Sequence, residues 1–329
     1  MVTQVYIEEA VRHHARTAKL LEHYSGKPHL YLERHQEVFN PRGQNFRLQK
    51  QNPSLIIAEK HGTRIHSAPP AYGTGGEQHY YFSHMLNCVY DCRYCFLQGM
   101  YRSANYLVFV NFEDFVKDID ATVEAAGDSE VWFYSGYDCD SLAFEPITGF
   151  AEFFIPKFSQ WPNAILELRT KSTQIRALLQ MQPLDNVVIA FSLNSDAIAS
   201  NIEERAPSIE KRLDAMYKLQ QAGWKVAARL DPLIWYAEFE QGYENLIQRM
   251  VEQLDCEALH SVSLGSFRLP DGFFKILAKL YPGHWLFASG IQAREGQHGY
   301  TEKVTELLLD YCEEKVKQSM PSTKIYRHQ

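Results

Sequence analysis

Three cysteines lie close together in the run Cys88, Cys92 and Cys95, which has the spacing C-x3-C-x2-C. Cysteine thiolates hold iron–sulfur clusters, and three ligands leave one iron of a four-iron cluster open for chemistry. A structural zinc ion takes four protein ligands, usually from two such knuckles. The run therefore favours a cluster and radical chemistry. The alternative is a zinc-stabilised binding module with Cys139 as the fourth ligand.

The other cysteines, Cys139, Cys256 and Cys312, are scattered singly and do not form a disulfide framework. We therefore expect a reducing compartment. Charged residues interrupt the first apolar pattern of the chain, so we see no signal peptide, and no later stretch has the length of a membrane span. The sequence predicts a cytoplasmic protein without a membrane segment.

Composition is that of a soluble globular enzyme, with 329 residues, 45% hydrophobic residues and a net charge of −7. These totals give no sign of nucleic-acid binding. The charge is uneven, however: residues 1–110 contain 12 Lys and Arg against 8 Asp and Glu, which leaves 21 against 32 for the rest. The basic part therefore coincides with the part that carries the three cysteines.

The first 79 residues read as an extension of helix and loop, with helical periodicity over residues 5–24. Proline and glycine then interrupt the chain, and the glycine-rich stretch 68–78 lacks the Lys-Ser/Thr of a phosphate-binding loop, so we interpret it as a flexible lead-in. From residue 80 short apolar runs alternate with helical patterns, which is typical of parallel strands joined by helices. We predict strands over 80–86, 106–111, 130–136, 164–171, 186–194, 225–233 and 261–267. We predict helices over 112–126, 147–159, 173–179, 208–222, 243–254, 270–281 and 301–317.

Polar residues follow several of these strands. The cysteine run, the segment 136–140, Lys171, Asn194 and Asp231 all fall at or just after predicted strand ends. In parallel α/β sheets ligands bind at the carboxyl ends of the strands. We therefore expect these residues to surround one site.

With these features the chain resembles the radical S-adenosylmethionine enzymes, and among them the spore photoproduct lyases and their relatives in bacteria that do not sporulate. The resemblance covers about residues 80–254. It rests on the three cysteines with YCFLQ at 94–98, on FSLN at 191–194, on PSIEKR at 207–212 and on the strand-end Lys171.

The resemblance implies an α/β fold, a partial (β/α)6 TIM-like barrel over 80–268, with the extension 1–79 and a short C-terminal helical region 269–329. It implies a [4Fe–4S] cluster on Cys88, Cys92 and Cys95 and S-adenosylmethionine as cofactors. A 5′-deoxyadenosyl radical would then abstract hydrogen from a crosslinked thymine dimer in damaged DNA. A reducing partner such as flavodoxin or ferredoxin would supply electrons. The resemblance implies cofactor contacts by these residues: Tyr94, Lys171, Ser192, Asn194 and Asp231.

One departure concerns the hydrogen-atom donor. The lyases carry a donor cysteine at the end of the second barrel strand, where this chain has Tyr137, and the thiol of Cys139 lies two residues further on. Residues two apart on an extended chain share a face about 6.6 Å apart. Three readings stay open: Cys139 donates the hydrogen atom, Tyr137 or Tyr94 donates it, or the enzyme performs a different radical reaction on RNA, a nucleotide or a small molecule.

A second departure is the β-hairpin that the lyases place beside the extruded lesion. Its counterpart here, residues 289–300, offers few candidates for nucleic-acid contact: Arg294, His298 and Tyr300. The early basic part of the chain supplies the other candidates: Arg42, Arg47, Lys50, Arg93 and Arg102.

Overall fold

The computed structural model describes residues 2–69, 73–76, 78–288 and 290–328. Its strands, in chain order, are β1 (Val5–Glu8), β2 (His29–Leu32), β3 (Leu55–Ala58), β4 (His66–Ser67), β5 (Gln78–Phe82), β6 (Met85–Leu86), β7 (Asp91–Cys92), β8 (Tyr106–Phe109), β9 (Val131–Ser135), β10 (Ala164–Thr170), β11 (Val187–Ser192), β12 (Glu203–Glu204), β13 (Lys225–Leu233), β14 (Leu259–Ser266), β15 (Arg268–Pro270), β16 (Ile291–Arg294), β17 (Gln297–Tyr300) and β18 (Ile325–His328).

The α-helices, again in chain order, are α1 (Ala15–His23), α2 (Phe46–Gln51), α3 (Leu97–Met100), α4 (Phe112–Ala126), α5 (Glu145–Thr148), α6 (Phe150–Phe154), α7 (Asp196–Ile202), α8 (Ile209–Gln221), α9 (Phe239–Gln253), α10 (Asp271–Leu280), α11 (Trp285–Ala288) and α12 (Glu302–Ser319). The long helices follow the predicted periodicity. In α4, for example, Phe112, Phe115, Ile119 and Val123 are buried at spacings of three and four residues.

The larger sheet has the order β18-β14-β13-β11-β10-β9-β5-β4 among the described residues. Within it β5, β9, β10, β11, β13 and β14 run parallel to one another, whereas β4 pairs antiparallel with β5. Both β9 and β11 are buried along their whole length, as expected where helices cover a parallel sheet. The sheet curls into a half-barrel, and the predicted partial (β/α)6 barrel is confirmed.

The N-terminal extension differs from its prediction. Strands β1, β2 and β3 form a second, largely parallel sheet together with β8 and β6, in the order β2-β1-β3-β8-β6. In β1 the buried Val5 and Ile7 alternate with the half-buried Tyr6, which is the period of two that a strand shows. The predicted helical periodicity over residues 5–24 included this short strand together with α1. The prediction of helix and loop alone for 1–79 is therefore wrong.

Several other element predictions are wrong for local reasons. The helix predicted over 147–159 is broken by Gly149, whose φ is 59°, and continues after α6 as the 3-10 segment Ile155–Gln160. The helix predicted over 173–179 is reduced to the 3-10 turn Leu178–Gln180. The strand predicted over 80–86 is divided between two sheets as β5 and β6.

The C-terminal region, predicted to be helical, also contains strands. Strands β15, β17 and β16 form a small antiparallel sheet, and β18 returns to the barrel beside β14. Residues 70–72 and 77 of the predicted glycine-rich lead-in lie outside the described residues, as does Ser289 of the predicted hairpin. Among the described residues, no helix combines the length and the apolar character needed to cross a membrane.

Candidate active site

A cavity of about 350 Å³ lies at the carboxyl ends of the barrel strands. Most of the side chains predicted to form a site line it together: Cys88, Cys92, Cys95, Tyr94, Tyr137, Cys139, Lys171, Ser192 and Asp231. They come from the cysteine loop, from the loop after β9 and from the ends of β10, β11 and β13. The strand-end pattern of the sequence thus pointed to one place in the fold.

The three cysteines of the run are free thiols. Burial raises the pKa of the Cys88 thiol to about 12 and that of Cys92 well above its usual range. Such thiols lose their protons when a cation takes the proton's place, so the residues fit a cluster whose iron atoms supply that charge.

The zinc alternative needs four side chains around a single ion. Within the described ranges, no group of three His, Cys, Asp or Glu side chains lies close enough together to hold one metal ion. In a four-iron cluster, by contrast, each cysteine binds a different iron atom. The spacing of the thiols around the cavity therefore does not support a zinc site completed by Cys139.

The cysteine loop, residues 88–98, is fastened by helix α2. The Nζ of Lys50 donates to the carbonyl oxygens of Cys88, at 2.5 Å, and Tyr90, at 2.9 Å. One turn earlier Arg47 donates to Asp91 Oδ1 at 2.9 Å and to the hydroxyl of Tyr281 at 2.8 Å. Both basic side chains thus bind groups of the protein itself.

The predicted nucleic-acid role is therefore wrong for Lys50, which is only 3% exposed. Arg47 and Arg93 are each bound to a protein carboxylate: Asp91 accepts from Arg47, and Glu204 accepts from Arg93 Nε at 2.8 Å. Three of the twelve basic residues of the early sequence thus hold the cysteine loop in place.

A buried ionic network connects this loop to the barrel. Strand β7 pairs with β12, so that Cys92 lies opposite Glu203. The Glu203 carboxylate accepts from the Tyr94 hydroxyl and from Arg212, which also donates to the Ser192 carbonyl oxygen at 3.0 Å. Glu203 was not predicted from the sequence; its only signal is its position four residues before the segment 207–212.

Lys171 lies within this network, with its Nζ 5.5 Å from the centroid of the Tyr94 ring. Burial opposes its charge, but the neighbouring Cys92 and Glu203 outweigh burial and raise the pKa of Lys171. The cavity therefore keeps a permanent cation at the end of β10.

Asp140, the last residue of the predicted site segment 136–140, holds the loop after β9 against β10. Its carboxylate accepts from the Lys171 backbone N–H and the Thr170 hydroxyl, both at 2.6 Å. It also caps the turn that follows, accepting from the backbone N–H groups of Leu142 and Ala143. An aspartate two residues before the N–H it binds is the usual signal of such a turn.

Tyr137 and Cys139 occupy different environments in the cavity wall. Tyr137 is half-buried, and its ring lies 4.2 Å from that of Tyr81 and 5.3 Å from that of Phe96. Cys139 is 4% exposed and packs in the core below the N-terminal sheet. Burial, followed by the proximity of Cys88, raises the pKa of the Cys139 thiol well above its usual range.

Two of the predicted cofactor contacts, Asn194 and Asp231, also bind groups within the protein. Asn194 is outside the cavity lining; its amide donates to the Pro232 carbonyl oxygen at 2.9 Å and its Oδ1 accepts from the Tyr243 hydroxyl at 2.8 Å. Asp231 does line the cavity, and it forms an ion pair with Arg268 at 3.1 Å. Arg268 was not predicted from the sequence. This pair ties the hairpin strands to the barrel.

The remaining nucleic-acid candidates divide by exposure. Tyr300 is 8% exposed and its hydroxyl accepts from the Trp235 N–H at 3.1 Å, so the predicted wedge role is wrong. His298 stacks on Phe274. Arg42, Arg102 and Arg294 are exposed, and Arg294 lies on the strand that pairs with the cavity-lining Gln297.

Sequence comparisons identify a family and curated relatives. A model of the spore photoproduct lyase family matches residues 2–327. The spore photoproduct lyase of Bacillus subtilis strain 168 is 23% identical over 253 residues, which cover 75% of this chain and 72% of that protein. The spore photoproduct lyase of Clostridium acetobutylicum is 24% identical over 221 residues, which cover 66% of this chain and 65% of that protein.

Solved structures show the same fold. A spore photoproduct lyase variant with bound S-adenosylmethionine and dinucleoside spore photoproduct superimposes with a TM-score of 0.87 at 19% identity, covering 99% of this chain and 98% of that one. A spore photoproduct lyase complexed with dinucleoside spore photoproduct gives a TM-score of 0.86 at 20% identity, covering 99% of both chains. The resemblance read from the sequence is confirmed: this chain belongs to the spore photoproduct lyase family of radical S-adenosylmethionine enzymes, which use a [4Fe–4S] cluster.

Proposed function

We propose that this chain repairs a thymine photoproduct in DNA and that the lesion reacts in the cavity at the strand ends. The observation that carries this proposal is the convergence of the three cluster cysteines with Tyr137, Cys139 and Lys171 on one cavity. The spore photoproduct bound by structural relatives supports the same substrate.

Cys88, Cys92 and Cys95 would hold the cluster. With S-adenosylmethionine bound, this group supplies the 5′-deoxyadenosyl radical that starts the reaction. Lys171 places a half-buried cation where it can bind the carboxylate of that cofactor, and Ser192 offers a hydroxyl on the next strand. Asn194 and Asp231 act indirectly, by holding the strand ends and the hairpin.

Tyr137 is the residue that we propose to return a hydrogen atom to the substrate. Its ring lines the cavity and is held in place by Tyr81 and Phe96. The Tyr94 hydroxyl already donates to Glu203. Cys139 is nearly buried and lies close to Cys88, which would be a cluster ligand. The O–H bond of Tyr137 would break as the substrate C–H bond forms, and a one-electron donor with a proton would restore the phenol.

Exposed arginines would contact the DNA backbone. Arg42, Arg102 and Arg294 have side chains that reach solvent, and Arg294 stands on the hairpin beside the cavity. Phosphate contacts of this kind position a duplex without reading its sequence. The electron donor would be a small reducing protein such as flavodoxin or ferredoxin.

Anaerobic reconstitution with iron and sulfide tests this proposal. The reconstituted protein is given S-adenosylmethionine and dithionite, and 5′-deoxyadenosine is measured with damaged DNA, with undamaged DNA and without DNA. We expect damaged DNA to stimulate its formation, and a Cys92→Ser variant to form none. Equal amounts of 5′-deoxyadenosine in all three samples would support the radical chemistry but contradict damaged DNA as the substrate. RNA, a nucleotide or a small molecule would then be the substrate to test.

A further inference from the structure

We propose that Lys50 is a positioning residue of the cluster site: its ammonium group fixes the loop that presents Cys88 and places a positive charge beside the cluster. This inference rests on the cluster that the family uses and is independent of the DNA substrate. It assigns a role in the chemistry to the N-terminal extension, which otherwise lies outside the barrel.

The ammonium group is enclosed on three sides. It donates to the carbonyl oxygens of Cys88 and Tyr90, at 2.5 Å and 2.9 Å, and lies 5.8 Å from the centroid of the Tyr106 ring. An ammonium group held in this way restricts the peptide units on both sides of Val89. The orientation of the first cluster ligand is therefore set from outside the cysteine loop.

The protein alone balances the charge of Lys50 only in part. Both of its hydrogen-bond acceptors are neutral backbone carbonyls, although the side chain is 3% exposed. The neighbouring Asp91 carboxylate is already bound to Arg47 at 2.9 Å. A buried charge is costly when it is incompletely paired, and thiolates that hold a cluster at Cys88 and Cys95 would add negative charge beside it.

Helix α2 makes two further contacts, one with the cysteine loop and one with the chain that follows it. Arg47 donates to Asp91 at 2.9 Å, and Gln49 Oε1 accepts from the Ala104 backbone N–H at 2.9 Å, beyond the loop's end. At the start of the helix Asn45 accepts from the Leu48 N–H at 3.0 Å, which caps the first turn. The helix thus carries Lys50 on a fixed backbone.

A fixed positive charge has two measurable effects on a cluster. Residues that support metal ligands from behind typically change metal affinity about 10-fold to 100-fold when they are removed. A nearby cation also stabilises the reduced cluster, which carries one more electron, and so raises the reduction potential. A lysine that only filled space would leave the potential unchanged.

The test compares Lys50→Met, Lys50→Gln and Lys50→Arg in the reconstituted full-length protein. We expect Lys50→Met to release iron to a chelator about 10-fold faster and to lower the reduction potential measured by electron paramagnetic resonance. Lys50→Gln, which keeps an N–H donor without the charge, should lower the potential while retaining iron better. Lys50→Arg, which keeps the positive charge, should have a reduction potential closer to that of the unaltered protein than the two neutral variants have.

Two controls separate this role from general damage. Lys117→Met removes a lysine that is 75% exposed and pairs with Asp114 on the outer helix α4, and it should change neither quantity. Hydrogen exchange of strands β10 and β11 in the cluster-free variants should match that of the unaltered protein, with faster exchange confined to residues 88–98. The proposal would be overturned if Lys50→Met and Lys50→Gln both kept the reduction potential of the unaltered protein while β10 and β11 stayed protected from exchange. Should Lys50→Met fail to fold, the potential of Lys50→Gln decides.

Discussion

Tyr137 stacks on Tyr81 with ring centroids 4.2 Å apart and ring planes 29° apart. Tyr81 belongs to the first parallel strand of the barrel, whereas Tyr137 lies in the loop after the second. Both side chains are half-buried, and the stacking favours one orientation of the two rings. The phenol of Tyr137 is therefore a fixed part of the cavity wall.

Replacing Tyr137 by Phe should lower lesion repair about 10-fold or more, an added barrier of at least about 1.4 kcal/mol. The substitution removes the O–H group and keeps the stacked ring. Formation of 5′-deoxyadenosine should continue, so the ratio of restored thymine to 5′-deoxyadenosine measures the effect. Cys139→Ala is the matched variant and should keep most of the repair; the reverse pattern would make Cys139 the donor.

Replacing Glu167 by Gln should lower the free energy of unfolding at pH 7 by about 3 kcal/mol, as for other broken buried ion pairs. The Glu167 carboxylate is fully buried and accepts from Arg229 at 2.6 Å and Arg169 at 2.7 Å. Urea unfolding measures the change. Asp214→Asn, which removes an exposed partner of Lys218, should stay within about 0.5 kcal/mol.

The same substitution should flatten the acid dependence of stability. Burial alone would raise the pKa of Glu167, but the two guanidinium groups outweigh it and hold that pKa below its usual range. A depressed carboxyl pKa contributes stability above the ordinary value, near pH 4.5, and loses it as the pH falls further. An equally steep acid loss in Glu167→Gln would contradict this assignment.

Glu145 should give the opposite pH dependence. Burial raises its pKa to about 7, although the backbone N–H groups of Ala151 and Glu152 donate to it at 2.7 Å and 3.1 Å. The folded protein then binds an extra proton, so stability falls by about 2 to 3 kcal/mol as the pH rises from 4.5 to 7. Glu145→Gln should remove this fall in urea titrations at pH 5 and 8, and a persistent fall would point to another group.

Replacing Arg294 by Ala should weaken binding to damaged DNA and reduce the slope of log affinity against log salt by about 1. The Arg294 side chain is 69% exposed on the hairpin beside the cavity, and its pair with Glu302 at 3.4 Å is equally exposed and contributes little, so the guanidinium can exchange it for a phosphate. Fluorescence anisotropy at several salt concentrations measures the slope. Lys218→Ala, on the outer helix α8, serves as the control; equal slopes for Arg294→Ala and the unaltered protein would remove the hairpin from the DNA interface.

Sequence patterns located the barrel and the site because both depend on local signals. The strand β13 and the helix α4 occupy the predicted residues, since long runs with one period are unambiguous. The N-terminal sheet was missed because β1, β2 and β3 have four residues each and gain stability only by pairing with one another and, through β3, with β8. Pairing between distant segments leaves no local pattern.

The uses of charged residues could be predicted least well. Lys50 and Arg93 look like nucleic-acid contacts in a basic stretch, yet Lys50 binds the carbonyl oxygens of Cys88 and Tyr90 and Arg93 binds Glu204. Whether a cation is exposed or buried depends on residues far along the chain. The side chain of Glu203, for instance, meets Tyr94 across 109 positions.

The most direct test of the account is the conversion of a defined thymine photoproduct in a DNA oligonucleotide. The reconstituted protein is incubated anaerobically with S-adenosylmethionine, a reductant and the oligonucleotide, and the nucleosides are quantified by liquid chromatography and mass spectrometry. We expect loss of the crosslinked thymine dimer with the gain of two thymines for each lesion. An intact lesion in the presence of continuing 5′-deoxyadenosine formation would contradict the proposed repair of DNA.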